Sequence, residues 1–358
     1  MASQDDNGTR PLSLVDSHIH LYAASHIPCL NWTADLPEQH RLNRQNSVDQ
    51  YRAATAQHSD RLLGFVFLET DRKSGLRETE WTDALEEVDF LLRIARGTPR
   101  DGEGHHPDDG KLVLGIVPWA PVPAGERELG NYVQHVRQHA GDKWALIKGF
   151  RYLVQDKPAG VILDPRFIKG LQWLGSQNLT FDLGVDARSG GLSQLEEACE
   201  MMDQVYPVGG SSTVRIIINH FCKPNLRLPA EEALQGHADF VRWSKCIERM
   251  AGHQHTYMKL SGFFSELPEQ EENNATDIPA LAARTKPWVD VVFRVFGPSR
   301  IMFGSDWPVC NVGGPGTAKS WHHWHDLVDE ILTAQNLTRD EKARVWSGTA
   351  VAAYNIRL

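Results

Sequence analysis

Several features of membrane-bound and secreted proteins are missing from this sequence. No run of apolar residues is long enough to cross a bilayer, and the first residues, MASQDDNGTRP, contain neither the basic start nor the apolar core of a secretion signal. Cysteine is also scarce: the chain has five, none in Cys-x-x-Cys spacing, which argues against both a disulfide framework and a zinc knuckle. We therefore expect a cytoplasmic protein with reduced thiols and no membrane partner.

The sequence has no basic stripe either. Its 358 residues carry a formal net charge of -9, which excludes a general binder of the nucleic-acid backbone, so no nucleic-acid partner is expected. Hydrophobic residues make up 41% and charged residues 23%, as is ordinary for a soluble globular protein. The length exceeds that of most single domains, but barrels of alternating strands and helices often reach it.

Eight apolar, strand-like runs alternate with segments of helical periodicity. This alternation predicts parallel β/α units, and eight such units close into a TIM barrel. A doubly wound open sheet is the alternative, but it would be unusually wide, and no glycine-rich phosphate loop follows the first run. We therefore predict an α/β fold, a single (β/α)8 TIM barrel domain over residues 14–358 behind a flexible N-terminal tail, residues 1–13. The predicted strands are 14–21, 62–70, 111–120, 145–154, 179–186, 214–221, 257–264 and 300–307, and the final helices, 320–335 and 338–354, are expected on the outside.

Histidines and an aspartate stand at the ends of three predicted strands. His18 and His20 close the first strand on one face, because strand side chains alternate, while His220 closes the sixth and Asp306 the eighth. Active sites of TIM barrels occupy the face where the carboxyl ends of the strands meet. Three imidazoles and a carboxylate suit a mononuclear zinc site with one position left for water or substrate. The alternative is a set of buried histidines that bond only to their neighbours.

Five motifs point to a known family. They are HIH in strand one, KGFR in strand four, NHFCKP after strand six, MKLSG in strand seven and FGSDWP in strand eight. On these motifs the chain resembles, over nearly its whole length, the amidohydrolase superfamily in the lactonase-type branch called amidohydrolase 2. Within that branch it is similar to fungal L-rhamnono-γ-lactonases, and more distantly to bacterial L-fuconolactonases and pyrone-dicarboxylate lactonases. The resemblance implies a TIM-barrel carboxylic-ester hydrolase of carbohydrate catabolism.

The resemblance also bears on the metal. Dinuclear members of the superfamily carry a carboxylated lysine or a glutamate on strand four and a histidine on strand five, whereas strand five here has Asp182 and Asp186. We therefore expect one divalent metal, with zinc as the first choice, although imidazole and carboxylate ligands also accept manganese or iron. The pyrone-dicarboxylate relatives work without metal although they keep similar histidines. Metal-independent catalysis therefore stays open.

A lactonase needs an activated water, a polarised carbonyl and a proton for the departing ring oxygen. We predict that Asp306 is the general base, that the metal or histidines such as His220 polarise the carbonyl, and that Lys148 or Arg151 stabilises the oxyanion or binds hydroxyls. A structural salt bridge is the alternative for Arg151. The predicted reaction opens an aldonolactone, similar to L-rhamnono-γ-lactone, to the aldonic acid. A non-oxidative decarboxylase of an aromatic acid and a non-catalytic barrel are the alternatives.

Other residues are candidates for contact with this small-molecule lactone. Aromatic faces and amides often bind sugars, although each such residue can equally serve packing. The histidines of SWHHWHD, residues 320–326, are predicted to be solvated or to cap a helix, and the acidic segment 265–287 to be solvated or to act as a lid. The oligomeric state is open, a homo-oligomer included. The predicted substrate-binding residues are Trp32, Tyr152, Trp307 and Asn311.

Overall fold

The fold contains two parallel sheets, and in each sheet the strands lie side by side in the order of the sequence. The structure is a computed structural model and describes residues 11–272 and 274–358. Each strand pairs in parallel with the next along the chain, first within a three-stranded sheet and then within a five-stranded sheet. The first sheet contains β1 (Leu14–Ile19), β2 (Leu62–Leu68) and β3 (Val113–Val117), and the second contains β4 (Gly149–Arg151), β5 (Thr180–Leu183), β6 (Arg215–Ile218), β7 (Thr256–Leu260) and β8 (Ile301–Phe303).

Backbone bridges join the two sheets into one ring. Parallel bridges link Ile116 to Ile147 and Trp119 to Arg151, which connects β3 to β4. On the other side a parallel bridge joins Ile19, the last residue of β1, to Trp307 beyond the end of β8. Eight parallel strands in sequential order thus close on themselves. The predicted TIM barrel is confirmed, and the alternative of an open doubly wound sheet is wrong.

Helices cover the outside of the barrel because each has one apolar face. In α3, for example, Leu129, Tyr132, Val133 and Val136 recur at helical spacing and are all buried. No helix among the described residues is long and apolar enough to cross a membrane. The helices are α1 (Val48–Thr55), α2 (Thr82–Arg96), α3 (Glu126–Ala140), α4 (Pro165–Ser176), α5 (Leu192–Val205), α6 (Ala230–Leu234), α7 (Ala238–Ala251), α8 (Ile278–Phe296), α9 (Ser320–Ala334), α10 (Arg339–Ala343) and α11 (Thr349–Ala353).

The C-terminal segment differs from the prediction that the last helices lie outside. Ala350, Ala353, Tyr354 and Ile356 pack in one buried cluster with residues of the strands, such as Val15. This segment also meets the starts of the strands: the Arg215 guanidinium, at the first residue of β6, donates to the carbonyl oxygen of Ala353 at 2.7 Å. We call residues 350–356 the C-terminal plug. It closes the amino-terminal end of the barrel, so the carboxyl ends of the strands form the open face.

The hydroxyl of Tyr354 is expected to stabilise the fold through the plug. It is fully buried and lies 2.8 Å from Oδ1 and 3.0 Å from Oδ2 of Asp182, to which it donates. A hydrogen bond to a charged group contributes about 1.5–3 kcal/mol. Tyr354→Phe should lower the free energy of unfolding by about that amount in urea titrations. Tyr132→Phe is the control, because the buried hydroxyl of Tyr132 has no hydrogen-bond partner in the part of the chain that the structure describes. Equal losses in the two variants would contradict this interpretation.

Candidate active site

The predicted strand-end residues meet at the open face of the barrel. His18 lies within β1 and His20 is the first residue after it, whereas His220 and Asp306 stand in the loops just beyond β6 and β8. His18 is completely buried, and the side chain of His20 is the most exposed of the four at 12%. All four side chains therefore lie at the floor of this face, where barrel enzymes carry their chemistry.

Three imidazoles converge on one carboxylate oxygen. Oδ1 of Asp306 lies 3.4 Å from Nε2 of His18, 3.5 Å from Nε2 of His20 and 3.6 Å from Nε2 of His220, and the Nε2 atoms of His18 and His20 are 3.2 Å apart. Atoms bound tetrahedrally to zinc at about 2.0–2.1 Å are separated by about 3.3 Å. His18, His220 and Asp306 have ligand atoms that all lie within 4.8 Å of one another, and His20 is close to two of the three. These residue types fit a mononuclear metal site.

The second nitrogen of two of these rings is bonded to the protein. Nδ1 of His20 lies 3.0 Å from the carbonyl oxygens of both Leu68 and Glu69. A carbonyl only accepts, so Nδ1 of His20 carries a proton. Nδ1 of His220 is 2.8 Å from Oγ of Ser261. Such bonds fix the orientation of metal-binding or catalytic imidazoles.

His18 has a partner that the sequence interpretation did not identify. Its Nδ1 lies 3.2 Å from Nζ of Lys259, a fully buried lysine of β7 that also donates to Oδ1 of Asp182 at 2.6 Å. Burial lowers the pKa of Lys259 to about 8. Since Asp182 is engaged by Lys259 and Tyr354, it is not free to bind a second metal. The sequence did contain a signal for this partner, because Lys259 is a charged residue within the otherwise apolar strand of the MKLSG motif.

The charge states suit both metal binding and proton transfer. Burial lowers the pKa of His220 to about 3, and burial together with Lys259 holds the pKa of His18 well below its ordinary value. Burial alone would raise the pKa of Asp306, but His220 and His20 beside it outweigh that effect and hold it below the usual range. Near neutral pH the imidazoles of His18 and His220 are thus neutral and the carboxylate of Asp306 is ionised, the forms that metal ions require.

Two loops of unusual backbone conformation aim these side chains. His220, Phe221, Cys222 and Lys223 all have φ between 48° and 60°, and Asp306 has φ 58°. The left-handed region costs a residue other than glycine roughly 1–2 kcal/mol. Neighbouring hydrogen bonds hold the turn after β6, among them one of 2.9 Å from the indole N–H of Trp243 to the carbonyl oxygen of Phe221. Strained backbone of this kind is concentrated at functional sites.

A cleft of about 180 Å³ opens above the four residues. Its lining is largely apolar and includes the cations Arg151 and Lys223 together with Asp71. The volume suits a small molecule rather than a polymer. The lining side chains are His20, Tyr22, Trp32, Leu42, Glu69, Thr70, Asp71, Arg151, Leu153, Gln155, His220, Lys223, Asp306, Pro308 and Val309.

Two further predicted residues reach the cleft. Trp32 forms part of its wall, and its indole N–H donates to the carbonyl oxygen of Thr70 at 2.8 Å. Arg151, the last residue of β4, also lines the cleft, and its Nη1 lies 3.4 Å from Oε1 of the buried Glu69. Arg151 therefore forms a structural ion pair and also lines the cleft, so both interpretations considered for it are compatible with its position. The sequence analysis did not identify Glu69, whose backbone carbonyl oxygen accepts from Nδ1 of His20. In LLGFVFLET this glutamate looks like any polar residue that follows an apolar strand.

Lys148 requires a correction. It precedes β4, so it lies at the amino-terminal end of the barrel, where its Nζ donates to the carbonyl oxygens of Ala145 at 2.8 Å and Asn355 at 3.1 Å. Asn355 belongs to the C-terminal plug on the closed face. Lys148 is therefore separated from the cleft by the length of the strand, and it cannot stabilise an oxyanion there.

Three predicted substrate contacts also lie elsewhere. Tyr152 follows β4 on the side opposite Arg151 and packs edge to face on Phe167 of α4, with ring centroids 6.3 Å apart. Trp307 is 1% exposed, because the turn at Asp306 directs its ring towards Tyr51 of α1. Asn311 is completely buried behind the cleft wall. None of the three lines the cleft, so their assignment to substrate binding is not supported by position.

The histidines of α9 do not form a second metal centre. His325 lies near His58 and Asp326, but the Arg61 guanidinium donates to its Nε2 at 3.1 Å, which occupies that lone pair. His325 is also 5% exposed and stacks on Trp346, so the prediction of a solvated or capping role is wrong for this residue.

Comparison with known proteins agrees with this geometry. The family model described as amidohydrolase matches residues 15–356. The chain belongs to the amidohydrolase family. An L-rhamnono-gamma-lactonase of Scheffersomyces stipitis is 33% identical over 96% of this chain and 98% of its own length, and an L-fucono-1,5-lactonase of Burkholderia multivorans is 26% identical over 75% and 76%. A crystal structure of an amidohydrolase from Burkholderia multivorans with bound Zn has a TM-score of 0.67 at 23% identity and covers 96% of this chain and all of that chain, which supports the amidohydrolase fold.

The close approach of Gly262 to His220 yields a test of the site geometry. A Cβ on Gly262 would lie 2.5 Å from Nδ1 and 2.6 Å from Cγ of His220, at φ 71°. Gly262→Ala should therefore displace the ring and lower the turnover of the enzyme at least tenfold, while circular dichroism still reports a folded barrel. Gly236→Ala is the control, because Gly236 has φ 87° and a methyl group added there would meet no atom of the described residues within 4 Å. Equal activity in both variants would sink the idea that the ring position matters.

Proposed function

We propose that this amidohydrolase opens a sugar aldonolactone, of the L-rhamnono-γ-lactone type, to the aldonic acid. The observation that carries the proposal is the convergence of three imidazoles on the carboxylate of Asp306 at the floor of a small cleft. The similarity to the yeast L-rhamnono-gamma-lactonase, which extends over 96% of the chain, supports the substrate class.

The residues divide the reaction as follows. Asp306 accepts a proton from water as the water oxygen forms a bond to the lactone carbonyl carbon. The carbonyl electron pair moves onto its oxygen, and when it returns the bond from that carbon to the ring oxygen breaks. Asp306 then gives the proton to the ring oxygen, which becomes a hydroxyl. The products are one carboxylic acid, ionised at neutral pH, and one alcohol, so atoms and charge balance.

A divalent metal held by His18, His20, His220 and Asp306 would supply a water of lowered pKa and polarise the carbonyl. Zinc is our first choice on ligand type. The cleft walls suit a sugar ring, since Trp32, Leu42 and Val309 offer apolar surface for its C–H face while Arg151 and Asp71 face its hydroxyls.

We also propose a cytoplasmic location and no nucleic-acid or membrane partner. All five cysteines are free thiols in the described structure, as suits a reducing compartment. Decarboxylation of an aromatic acid is the competing reaction. Solved decarboxylases share only the fold with this chain, for example the 5-carboxyvanillate decarboxylase of Sphingomonas paucimobilis, at 11% identity and a TM-score of 0.57.

Loss of the carboxylate tests the general base. Asp306→Asn should lower kcat/KM for L-rhamnono-γ-lactone by about 10²–10⁴-fold, the usual range for a general base, as measured by acid release in weak buffer. Asp109→Asn is the matched control: Asp109 is also completely buried, but it pairs with Arg52 away from the cleft. Release of carbon dioxide from aromatic acids without lactone hydrolysis by the wild type would instead favour the decarboxylase.

Removal of metal tests the role of the histidines. If a bound metal activates the water, a strong chelator should abolish lactone hydrolysis and added zinc should restore it, with metal content followed by mass spectrometry. His20→Ala should then lower zinc affinity as well as rate. Hydrolysis that persists in protein shown to be free of metal would leave the lactonase in place and assign carbonyl polarisation to the imidazoles alone.

A further inference from the structure

Lys223 is an unusual cation in the wall of the cleft. It ends the left-handed turn after β6 with φ 48°, and its side chain is 16% exposed. The nearest carboxylate oxygens, Oδ2 of Asp186 and Oε1 of Glu266, are both 3.9 Å from its Nζ, which is beyond hydrogen-bond distance. Within residues 11–272 and 274–358, the ammonium of Lys223 therefore has no acceptor at hydrogen-bond distance.

The acidic neighbours of Lys223 are engaged elsewhere. Glu266 binds the guanidinium of Arg188, and Oδ1 of Asp186 accepts from the backbone N–H of Ser189 at 2.6 Å. By contrast, the second cation of the cleft, Arg151, has the buried carboxylate of Glu69 beside it. The two cations are thus not equivalent, because Arg151 has a carboxylate oxygen 3.4 Å away whereas the nearest carboxylate oxygens to Lys223 are 3.9 Å away.

Lys223 is also close to the reacting groups. It follows His220 by three residues in the same turn, and its charge acts on both partners, lowering the pKa of His220 and of Asp306. Lys223, His220 and Asp306 also line the same cleft of about 180 Å³. A small substrate in that cleft therefore lies within reach of all three side chains.

We propose that Lys223 is a further catalytic residue, which donates a hydrogen bond to the lactone carbonyl oxygen and then binds the carboxylate formed from it. The inference rests on the proposed lactonase function. As water adds to the carbonyl carbon, the electron pair of the C=O bond moves to the oxygen facing Lys223. When the ring C–O bond breaks, Asp306 gives its proton to the ring oxygen and the neutral carboxylic acid is formed. The acid then loses its remaining O–H proton to water, and the charge is shared by two carboxylate oxygens that the ammonium binds. Preorganised donors of this kind stabilise the transition state more than the neutral substrate.

A purely structural role is the competing explanation. In that case Lys223 would tie the loops after β5, β6 and β7 together through Asp186 and Glu266. Its loss would then change stability and affect neutral and charged ligands alike. The catalytic role predicts a selective effect on ligands that carry the carboxylate.

The test compares two ligands that differ at one carbon. L-rhamnonate has the product carboxylate, and L-rhamnitol has a neutral alcohol in its place. Isothermal titration calorimetry measures both affinities, without turnover, for wild type, Lys223→Met and Lys223→Arg. Lys157→Met is the control, because Lys157 is a half-buried lysine that pairs with Asp156 at 2.8 Å outside the cleft lining.

We expect Lys223→Met to weaken L-rhamnonate binding at least tenfold and L-rhamnitol binding less than threefold. The same variant should lower kcat for the lactone about 10²–10³-fold, as loss of one oxyanion donor does, while Lys223→Arg recovers most of the affinity and part of the rate. Equal weakening of both ligands, or unchanged L-rhamnonate binding in Lys223→Met, would overturn the proposal. If the methionine variant does not fold, Lys223→Gln takes its place with the same criteria. A wild type that hydrolyses no lactone, yet binds L-rhamnonate through Lys223, would reject the lactonase and keep the carboxylate site.

Discussion

A charge pair inside the barrel connects its closed end to its chemistry. Lys259 and Asp182 are both completely buried, with Nζ and Oδ1 2.6 Å apart, and each has one more polar partner. Tyr354 of the C-terminal plug donates to Asp182 from below, and Lys259 meets Nδ1 of His18 above. Removing one member of a buried pair leaves an uncompensated charge, at a cost of about 3–5 kcal/mol. The plug, the pair and the His18 ring therefore depend on one another.

The geometry of the open face depends on the barrel and on two left-handed turns. Its four central side chains come from β1 and from the loops after β6 and β8, which are far apart in sequence. The barrel brings those strand ends together, and the left-handed turns at His220 and Asp306 supply the last change of direction. An unstrained loop would leave the imidazole and the carboxylate pointing along their strands. The cost of the turns is therefore offset by packing and by bonds such as the one from Trp243 to Phe221.

The sequence was sufficient for the barrel and for the central four residues. Apolar runs and their alternation with helices identify the strands, and the strand-end rule then selects His18, His20, His220 and Asp306. Lys148 and Tyr152 were misplaced because the fourth apolar run spans ten residues, 145–154, whereas β4 contains only Gly149–Arg151. Which residue stands at the carboxyl end decides which side chain faces the cleft, and periodicity does not locate a strand end to one residue. Trp307 was misplaced for a related reason, since the turn at Asp306 is set by tertiary contacts.

Lys223 and Glu69 show what sequence alone does not reveal about a side chain. Lys223 belongs to the NHFCKP motif and Glu69 follows a strand, but only the folded chain shows their neighbours. Lys223 has no acceptor at hydrogen-bond distance among the described residues, and Glu69 is the partner of Arg151. The resulting cleft is electrostatically uneven. Arg151 has Glu69 close by, which limits the net charge that a neutral lactone meets. Lys223 has no acceptor at hydrogen-bond distance among the described residues, so its attraction grows as the carbonyl becomes a carboxylate. This arrangement holds the charge formed in the reaction more strongly than the substrate that enters, which is the condition for differential binding of the transition state.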